Sequence, residues 1–401
     1  MTERLDIIVH GSTGYTGTLI SKYLATAASA ANITWGISGR NKKFLDELAH
    51  ECQAKDSKRK QQTHTIFVAD SLKAADMETV AKRARVVIAC AGPFSKYGMP
   101  MAAACVANGT HYVDITGEFP FVREMIERFH DEAKSKKLFF LPCSGFDSVP
   151  SDVMNDVVHQ AGEDAGVAIR KVECAFHMKA GGASRGTLDS ILNIGSAMRK
   201  ADKSPLSLAA PDQRRGILTP KVKLPHWNAG IGSWVGPFVM AESNERVARR
   251  ANSLSSSPTR QQASYNEMIR GSLFSVWANF FAAVSLVAIF IPGLSYLIQR
   301  FLFPAARQGP KGDGFFSVRA VGYVSSTAAK PAVAARMTCN IEPYKFTAVS
   351  AAEAALAIAA GEVDAGAEAG VTSTGGAVAK AMVRRLEASG HVKVEVDRSG
   401  K

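Results

Sequence analysis

Residues 7–24, "IIVHGSTGYTGTLISKYL", contain the turn that decides the fold of the first part of the chain. A short β-rich run ends just before Gly11, and apolar residues recur at helical spacing after Gly17, which predicts a buried parallel strand that leads into a helix. The free N–H groups at such a helix start attract anions, and glycine lacks the Cβ that would hold a pyrophosphate away from the backbone. The spacing of Gly11, Gly14 and Gly17 therefore favours a phosphate-binding turn, with a purely structural turn as the alternative.

The alternation of strands and helices continues as far as residue 146. Strand-like runs occur in "ITWGISGRN", "THTIFVAD", "RVVIACAGPFSKYG", "HYVDITGE" and "LFFLPCSGF", with helical patterns between them. This alternation predicts an α/β fold that begins with a Rossmann domain, a doubly wound parallel sheet whose ligand lies across the carboxyl ends of the strands. The residues predicted to bind a dinucleotide at that edge are Gly11, Ser12, Thr13, Gly14, Tyr15, Thr16, Gly17, Ser38, Arg40, Asn41, Asp70, Ala91, Gly92, Pro93 and Phe94.

The end of the second strand bears on the choice between NADP(H) and NAD(H). In NAD-preferring sites an Asp or Glu at this place accepts hydrogen bonds from the ribose 2′-OH. Here the strand ends in Gly39 and Arg40, with Ser38 and Asn41 beside them. A guanidinium can hold a 2′-phosphate through two hydrogen bonds, whereas a carboxylate would repel it. The sequence therefore favours NADP(H) over NAD(H), and a solvated basic helix start is the alternative.

The motifs "HGSTGYTG", "SGRN", "CAGPFSKYG", "GTHYVDITGE" and "CSGFDSVPSD", in this order, resemble the saccharopine dehydrogenase-like oxidoreductases. Within that family the chain is similar to the trans-acting enoyl reductase branch, which also includes lipid-droplet proteins of animals. The resemblance implies reduction of a substrate by a nicotinamide cofactor. It also implies a Rossmann domain at 1–145, a second α+β domain with a mixed or antiparallel sheet at 146–345, and C-terminal helices at 346–401 that return to the Rossmann half.

Composition and charge argue against several classes of function. The six cysteines are scattered without a C-x-x-C spacing, which predicts a reducing compartment and no structural metal site. Charged residues precede the first strand, so we expect no secretory signal and an intracellular protein. The net charge is +12, but the basic groups have no aromatic residues interleaved with them, and we expect no binding of nucleic acid. Attraction to an anionic membrane surface is one interpretation of this charge, and solvated loops are the other.

Residues 271–299 lie between Arg270 and Arg300 and contain no charged residue. The segment has the length and apolarity of a membrane-spanning helix. A span would separate the strand-like runs "KVECAFHMKA" and "GFFSVRAVGYVSS", which we expect to join one sheet. We therefore favour insertion into one leaflet or into a lipid-droplet surface, with a buried core helix or a homodimer helix as the alternative. The expected location is a lipid droplet or the cytosolic face of an organelle such as a mitochondrion.

The proton donor of a hydride-transfer reaction would lie where the nicotinamide meets the substrate. The candidates are Tyr97, which follows the fourth strand, His111 and Asp114, assigned to the next strand edge, and Asp147, which follows the sixth strand. Each could instead be an ordinary polar residue at a strand end. The sequence contains no Tyr-x-x-x-Lys pair and no set of metal ligands, so the proton donor stays unassigned and we expect no metal.

A second glycine-rich turn, "GGASRGTLDS", opens a predicted helix in the second domain. Such a helix start could hold a carboxylate, phosphate or carbonyl oxygen of a substrate, and an ordinary capped helix fits the pattern equally well. The candidate substrate-binding residues are Gly182, Ser184, Arg185 and Thr187.

Three functions are compatible with these features. We favour an NADP(H)-dependent oxidoreductase that acts on a hydrophobic acyl or lipid-type substrate, in lipid or glycolipid metabolism. The alternative from a different class is a non-catalytic NADP(H)-binding protein of lipid surfaces. Reduction of saccharopine in lysine metabolism is weaker, because that substrate carries several carboxylates and should need a cluster of arginines, whereas the second domain has a long apolar segment.

Overall fold

In the part of the chain that the structure describes, the strands form two sheets of seven strands each. The computed structural model describes residues 4–55, 65–179, 182, 204–213, 221–286, 309 and 312–397. The first elements are β1 (Leu5–His10), α1 (Tyr15–Ala30), β2 (Trp35–Gly39), α2 (Lys42–Lys55), β3 (Thr65–Val68), α3 (Ala74–Lys82), β4 (Ala84–Ala89), α4 (Phe94–Ala107), β5 (His111–Asp114), α5 (Phe119–Ser135), β6 (Phe139–Leu141) and α6 (Val149–Asp164). The elements that follow are β7 (Lys171–Lys179), β8 (His226–Asn228), β9 (Ser233–Gly236), α7 (Ala241–Ser253), α8 (Pro258–Gln261), β10 (Ser264–Gly271), α9 (Leu273–Leu286), β11 (Phe315–Tyr323), β12 (Val333–Cys339), α10 (Pro343–Ala359), β13 (Gly370–Val371), α11 (Thr374–Ala377), α12 (Ala379–Ala388) and β14 (Val392–Asp397).

The first sheet has the order β13-β6-β5-β4-β1-β2-β3, and all of its strand pairs are parallel. Helices cover both faces: Ile7 and Val9 pack into a core with α1 and α10, while Ile8 packs on the other side with α3 and α4. Burial of both faces explains why these strands read as continuous apolar runs. The predicted doubly wound Rossmann sheet is therefore confirmed.

The second sheet is mixed, with the order β14-β12-β11-β7-β10-β9-β8. Strands β7 and β10 are parallel, and the remaining pairs are antiparallel. Strand β11 pairs with β7 along its whole length, from Phe315 opposite Lys179 to Tyr323 opposite Lys171. The strands before and after residues 271–299 thus belong to one sheet, as the sequence predicted.

An aromatic cluster joins the two sheets. Phe146, in the loop between β6 and α6, lies edge-on to Phe176, Phe316 and Phe346, with ring centroids 6.4, 4.9 and 6.2 Å away. Phe346 belongs to α10, which packs on α1 in the Rossmann half. The last part of the chain also contributes β13 to the first sheet and β14 to the second. The segment boundaries given above stay a prediction.

Helix α9 is the described part of the uncharged segment, and residues 287–299 lie outside the described residues. It packs through Val276, which is 1 % exposed, against Gly236 and Gly271 of the second sheet. Phe274 and Phe281 are 84 % and 60 % exposed. In the described parts of the chain, no helix has the length and apolarity needed to cross a membrane.

Candidate functional site

The three glycines of the first turn each meet a different requirement. Gly11 has a φ of +80°, and a Cβ there would lie 2.8 Å from the Ala91 nitrogen at the end of β4. A Cβ at Gly17 would collide with the Gly11 carbonyl oxygen. A Cβ at Gly14 would meet a single neighbour, the Gly11 oxygen at 3.3 Å, among the described atoms within 4 Å. Gly11 and Gly17 therefore permit the close turn, while Gly14 leaves open space in front of the helix.

The start of α1 offers donors to an anion. The Gly14 N–H donates to the Gly11 carbonyl at 3.0 Å, and the Thr18 N–H donates to the Gly14 carbonyl at 2.8 Å. The N–H groups of Tyr15, Thr16 and Gly17 lie in the first turn, where no intrahelical acceptor exists. These donors and the helix dipole form a ready-made site for a pyrophosphate.

Hydrogen bonds fix this turn to the end of β2. The N–H groups of Gly11 and Ser12 donate to the Ser38 carbonyl at 2.9 and 3.1 Å, and the Ser12 hydroxyl donates to the same oxygen at 2.9 Å. Arg40, two residues further on, is exposed. The Asn41 side chain accepts from the Phe44 N–H at 3.3 Å and so caps the start of α2. This arrangement holds Arg40 at the same edge as the glycine turn, where the ribose of a dinucleotide would lie.

His10, at the last position of β1, is a site residue that the sequence interpretation missed. Its imidazole is buried, with Nδ1 3.0 Å from the Ser38 hydroxyl and Nε2 2.8 Å from the Ser71 hydroxyl. Burial lowers the pKa of His10 to about 4; the nearby Asp70 raises this pKa, whereas the Arg40 charge lowers it further. The neutral His10 imidazole therefore links β1 to β2 and to the loop after β3 through two hydrogen bonds. A lone histidine at a strand end carries no sequence signal for such a role.

The end of β4 lies at the opposite side of the turn. Ala91, Gly92 and Pro93 lead into α4, whose first N–H groups are capped by a side chain from the loop between β5 and α5: the Glu118 carboxylate accepts from the Phe94 N–H at 2.9 Å and from the Ser95 N–H at 3.0 Å. Tyr97 is half-buried on the first turn of α4, and the Lys96 ammonium lies 5.1 Å from its ring centroid. The segment 91–97 is thus held beside the glycine turn by Glu118.

Two of the candidate proton donors have contrasting surroundings. The Asp114 carboxyl is fully buried, and its Oδ1 accepts from the Thr116 and Cys143 N–H groups at 2.9 and 3.0 Å. Burial raises the pKa of Asp114 to about 7. Through these hydrogen bonds Asp114 links the end of β5 to the loop after β6 and stabilises both.

The Asp147 carboxyl is different, because it is partly exposed and forms no hydrogen bond with the residues that the structure describes. Its Oδ2 lies 3.0 Å from the position that a Cβ on Gly117 would occupy, so it faces the loop after β5. Burial raises the pKa of Asp147 to about 6. On the same loop, burial and then the charges of Asp114 and Asp147 raise the pKa of the Cys143 thiol. Among the described candidates at the carboxyl edge of the sheet, Asp147 therefore combines a raised pKa with a carboxyl that has no hydrogen-bond partner in the described structure.

The placement of His111 at that edge is wrong. His111 is the first residue of β5, so it lies at the amino end of the strand. Its Nδ1 accepts from the Phe139 N–H at 3.0 Å, and burial, with the charges of Arg85 and Arg4, lowers the pKa of His111 to about 4. The first sheet thus separates His111 from Asp114 by the length of a strand.

Of the residues predicted to bind substrate, Gly182 is exposed with a φ of +124°, whereas Ser184, Arg185 and Thr187 lie outside the described residues. Within the described part of the chain, no group of three or more His, Cys, Asp or Glu side chains could hold a metal ion.

The edge fits a dinucleotide on three observations of the described residues: open space in front of Gly14, first-turn N–H groups of α1 without a partner among them, and a guanidinium at the end of β2. Comparison with known proteins also indicates a dinucleotide-binding domain. The family model of the saccharopine dehydrogenase NADP-binding domain matches residues 7–141.

Two relatives similar to nearly the whole chain are mycobacterial. A Mycobacterium tuberculosis protein, whose name gives trans-acting enoyl reductase as a proposed activity, is 30% identical over 97% of this chain and 96% of its own length. The Mycobacterium leprae protein named trans-acting enoyl reductase is 27% identical over 97% of both chains. Among solved structures, the apo saccharopine dehydrogenase (L-Glu forming) of Saccharomyces cerevisiae is similar in fold, with a TM-score of 0.53, 10% identity, and coverage of 98% of this chain and 100% of that one.

Substitution of Gly14 tests the phosphate-binding turn. Gly14→Val should weaken the binding of both NADPH and NADH by more than about tenfold, because the new side chain fills the space in front of the helix. The melting temperature should change little, since a Cβ at Gly14 meets one neighbour at 3.3 Å. Fluorescence titration and thermal unfolding measure the two effects.

Gly17→Val is the matched comparison, because its Cβ would collide with the turn itself. This variant should be destabilised by about 1–3 kcal/mol. Unimpaired NADPH binding by Gly14→Val would contradict the assigned turn.

Proposed function

Because this chain belongs to the family of the trans-acting enoyl reductases, we propose that it is an NADP(H)-dependent oxidoreductase that reduces a hydrophobic acyl or lipid-type substrate. The observation that carries the proposal is the pairing of two features at one sheet edge. One is a glycine turn with free donors for a pyrophosphate, and the other is a carboxyl group, Asp147, without a hydrogen-bond partner among the described residues.

In this proposal, different residues along the sheet edge bind different parts of the cofactor. The first-turn N–H groups of α1 would bind the pyrophosphate, and Arg40 would bind the 2′-phosphate that distinguishes NADP(H) from NAD(H). Ala91, Gly92 and Pro93 would flank the nicotinamide end. When bound, the reduced cofactor supplies a hydride to an electrophilic carbon.

Asp147 is the proton donor that we propose. In reduction of an α,β-unsaturated acyl group, hydride arrival at the β-carbon breaks the carbon–carbon π bond and places an electron pair on the α-carbon. Asp147 would donate its proton there, forming the new C–H bond, and would become a carboxylate that water reprotonates. Burial, which disfavours the charged form, keeps part of the Asp147 population protonated near neutral pH.

The enoyl reductase names of the relatives support an α,β-unsaturated acyl substrate. Helix α9 supports the attachment of this acyl group to a lipid or glycolipid. Phe274 and Phe281 on α9 are exposed. The centroids of the Trp277, Phe280 and Phe281 rings lie within 6 Å of one another. We propose that α9 docks on the surface of a membrane or lipid droplet, since exposed aromatic rings partition to such interfaces.

Arg40→Ala tests the cofactor preference. The wild type should bind NADPH more tightly than NADH, and the variant should lose at least about tenfold in NADPH affinity with little change for NADH. Lys43→Ala, which removes a neighbouring exposed charge, is the control and should keep the preference. A preference that survives in Arg40→Ala, measured by fluorescence titration, would contradict the role of Arg40.

Asp147→Asn tests the proton donor, with NADPH oxidation by a series of trans-2-enoyl coenzyme A thioesters as the assay. The variant should turn over about 10²–10⁴-fold more slowly, because the amide cannot supply the proton, and should bind NADPH normally. Wild-type turnover should fall as pH rises through about 6, since only the protonated carboxyl donates. That limb of the pH profile should vanish in the variant.

Two other outcomes have distinct meanings. Full activity of Asp147→Asn would exclude Asp147 while leaving the reductase proposal intact. Tight NADPH binding without oxidation by any thioester would favour the non-catalytic NADP(H)-binding alternative.

Aspartates on α9 test the surface association. The double variant Phe274→Asp/Phe281→Asp should keep its melting temperature and NADPH affinity, because both rings are exposed, and should lose flotation with liposomes or lipid droplets. Val68→Asp, at an exposed apolar position of the edge strand β3, is the control and should float like the wild type. Aggregation of the double variant with loss of NADPH binding would indicate a core or dimer helix instead.

A further inference from the structure

Residues 114–118, which run from the end of β5 to the start of α5, contact both ends of the candidate site. We call these residues the β5–α5 loop. At one end, the Glu118 carboxylate caps the start of α4 and so holds segment 91–97. Near the middle of the loop, the position of a Cβ on Gly117 lies 3.0 Å from the Asp147 Oδ2. The loop therefore lies between the segment that would flank the nicotinamide and the carboxyl proposed as the proton donor.

One carboxyl group holds this loop against the loop that follows β6. The Asp114 Oδ1 accepts from the Thr116 N–H at 2.9 Å, within the β5–α5 loop, and from the Cys143 N–H at 3.0 Å. The Asp114 carbonyl also accepts from the Ser144 N–H at 2.7 Å. Cys143 has a φ of +61°, which a non-glycine residue adopts only where its surroundings enforce it. Asp114 therefore fixes both of the loops that meet at Asp147.

The main chain around Gly117 is held from two further directions. The Ser243 hydroxyl of α7 donates to the Gly117 carbonyl at 3.2 Å, and α7 packs on β10 of the second sheet. Within the loop, the Thr116 hydroxyl accepts from the Glu118 N–H at 3.0 Å. These hydrogen bonds restrain the position of Gly117 relative to both sheets.

Gly117 leaves room for the Asp147 carboxyl. A separation of 3.0 Å is shorter than an ordinary van der Waals contact, so a methyl group on Gly117 would displace the carboxyl by a few tenths of an ångström. The φ of Gly117 lies outside the left-handed region, so an alanine could adopt the same backbone conformation. The missing Cβ therefore matters for the neighbouring carboxyl rather than for the turn itself.

The surroundings of the Asp147 carboxyl make its pKa sensitive to the loop. Burial is the cause of the raised pKa of Asp147. The other carboxyl groups of the β5–α5 loop, Asp114 and Glu118, accept from backbone N–H groups, and the Cys143 thiol is a titratable group whose pKa the Asp147 charge raises. Because burial disfavours the charged form, a loop that covers the carboxyl more closely should raise the pKa of Asp147 further.

We propose that the β5–α5 loop positions the proton donor, with Asp114 and Gly117 holding the Asp147 carboxyl at a fixed place relative to the segment that flanks the nicotinamide. Asp114 and Gly117 are positioning residues, because they would act through Asp147 rather than on the substrate. This inference rests on the proton-donor role proposed for Asp147. Hydride and proton reach adjacent carbons of the substrate, so their two sources must be fixed relative to each other.

Gly117→Ala tests the position of the carboxyl without removing a hydrogen bond. Turnover of trans-2-enoyl coenzyme A thioesters should fall about tenfold, because misplacing a catalytic group by about 1 Å can cost on the order of 100-fold. NADPH affinity, measured by fluorescence titration, should not change. The methyl group also excludes water from the carboxyl and so favours its protonated form. The fall in turnover with rising pH should therefore occur above the wild-type value of about 6.

The double variant Gly117→Ala/Asp147→Asn is the matched control. If Gly117 acts through Asp147, the alanine should cause no further loss in the residual turnover of Asp147→Asn. A further tenfold loss in that background would overturn the positioning role. Wild-type turnover and an unchanged pH profile in Gly117→Ala would also overturn it.

Asp114 is tested by comparing two substitutions. Asp114→Ala leaves the Thr116 and Cys143 N–H groups without their acceptor, whereas Asp114→Asn keeps an oxygen in the place of Oδ1. The alanine variant should lose more than about tenfold in kcat with NADPH affinity retained, and the asparagine variant should recover most of this loss. Equal losses in the two variants would exclude the hydrogen-bonded link. If thermal unfolding shows that Asp114→Ala does not fold, retained turnover in Asp114→Asn supports the link and a tenfold loss there excludes it.

The outcomes separate this inference from the function on which it rests. Full activity of Asp147→Asn, or an absence of turnover with every thioester, would remove the proton-donor role and the positioning loop together. A slow Asp147→Asn enzyme with unaffected Gly117→Ala and Asp114→Ala variants would retain the proton donor and reject the positioning loop.

Discussion

The close approach of α1 to the end of β1 is the constraint on which the rest of the candidate site depends. Because Gly17 has no Cβ, the helix can start against the Gly11 carbonyl, and because Gly11 has a positive φ, the chain can turn beside Ala91. The turn brings the free N–H groups of the helix, the Ser38 carbonyl and the end of β4 to one edge. A side chain at either glycine would move the start of α1 away from the strands. The N–H groups that would bind a pyrophosphate would then lie further from Arg40.

Local sequence signals were sufficient for most of the Rossmann half. The glycine turn and the strand–helix alternation depend on neighbouring residues, so periodicity revealed them. His111 is the exception in this half. The pattern "HYVDITGE" indicates a strand, but it does not show at which end of the strand a given residue lies. The register of β11 with β12 and of β7 with its two neighbours was invisible in the sequence, because it joins residues that are far apart in the chain.

The two buried or partly buried aspartates show why residue type alone did not identify a proton donor. Asp114 and Asp147 both follow strands and both have a raised pKa, caused chiefly by burial. Two backbone N–H groups donate to the Asp114 Oδ1, whereas the Asp147 carboxyl has no such partner in the described structure. These hydrogen bonds, which only the fold reveals, distinguish the carboxyl that links β5 to the loop after β6 from the one that we propose as the proton donor.

The bonding of α10 to the loop after β6 has a mechanical consequence. The Ser350 hydroxyl donates to the Ser144 carbonyl at 2.9 Å, and the Phe146 N–H donates to the Thr347 hydroxyl at 3.0 Å. The polypeptide passes between the sheets through this loop, through α10 and again through the segment between β13 and β14. Any movement of one sheet relative to the other must bend these connections together, so it would pivot close to Phe146. Small rotations at this pivot would therefore produce larger displacements at the far ends of the two sheets.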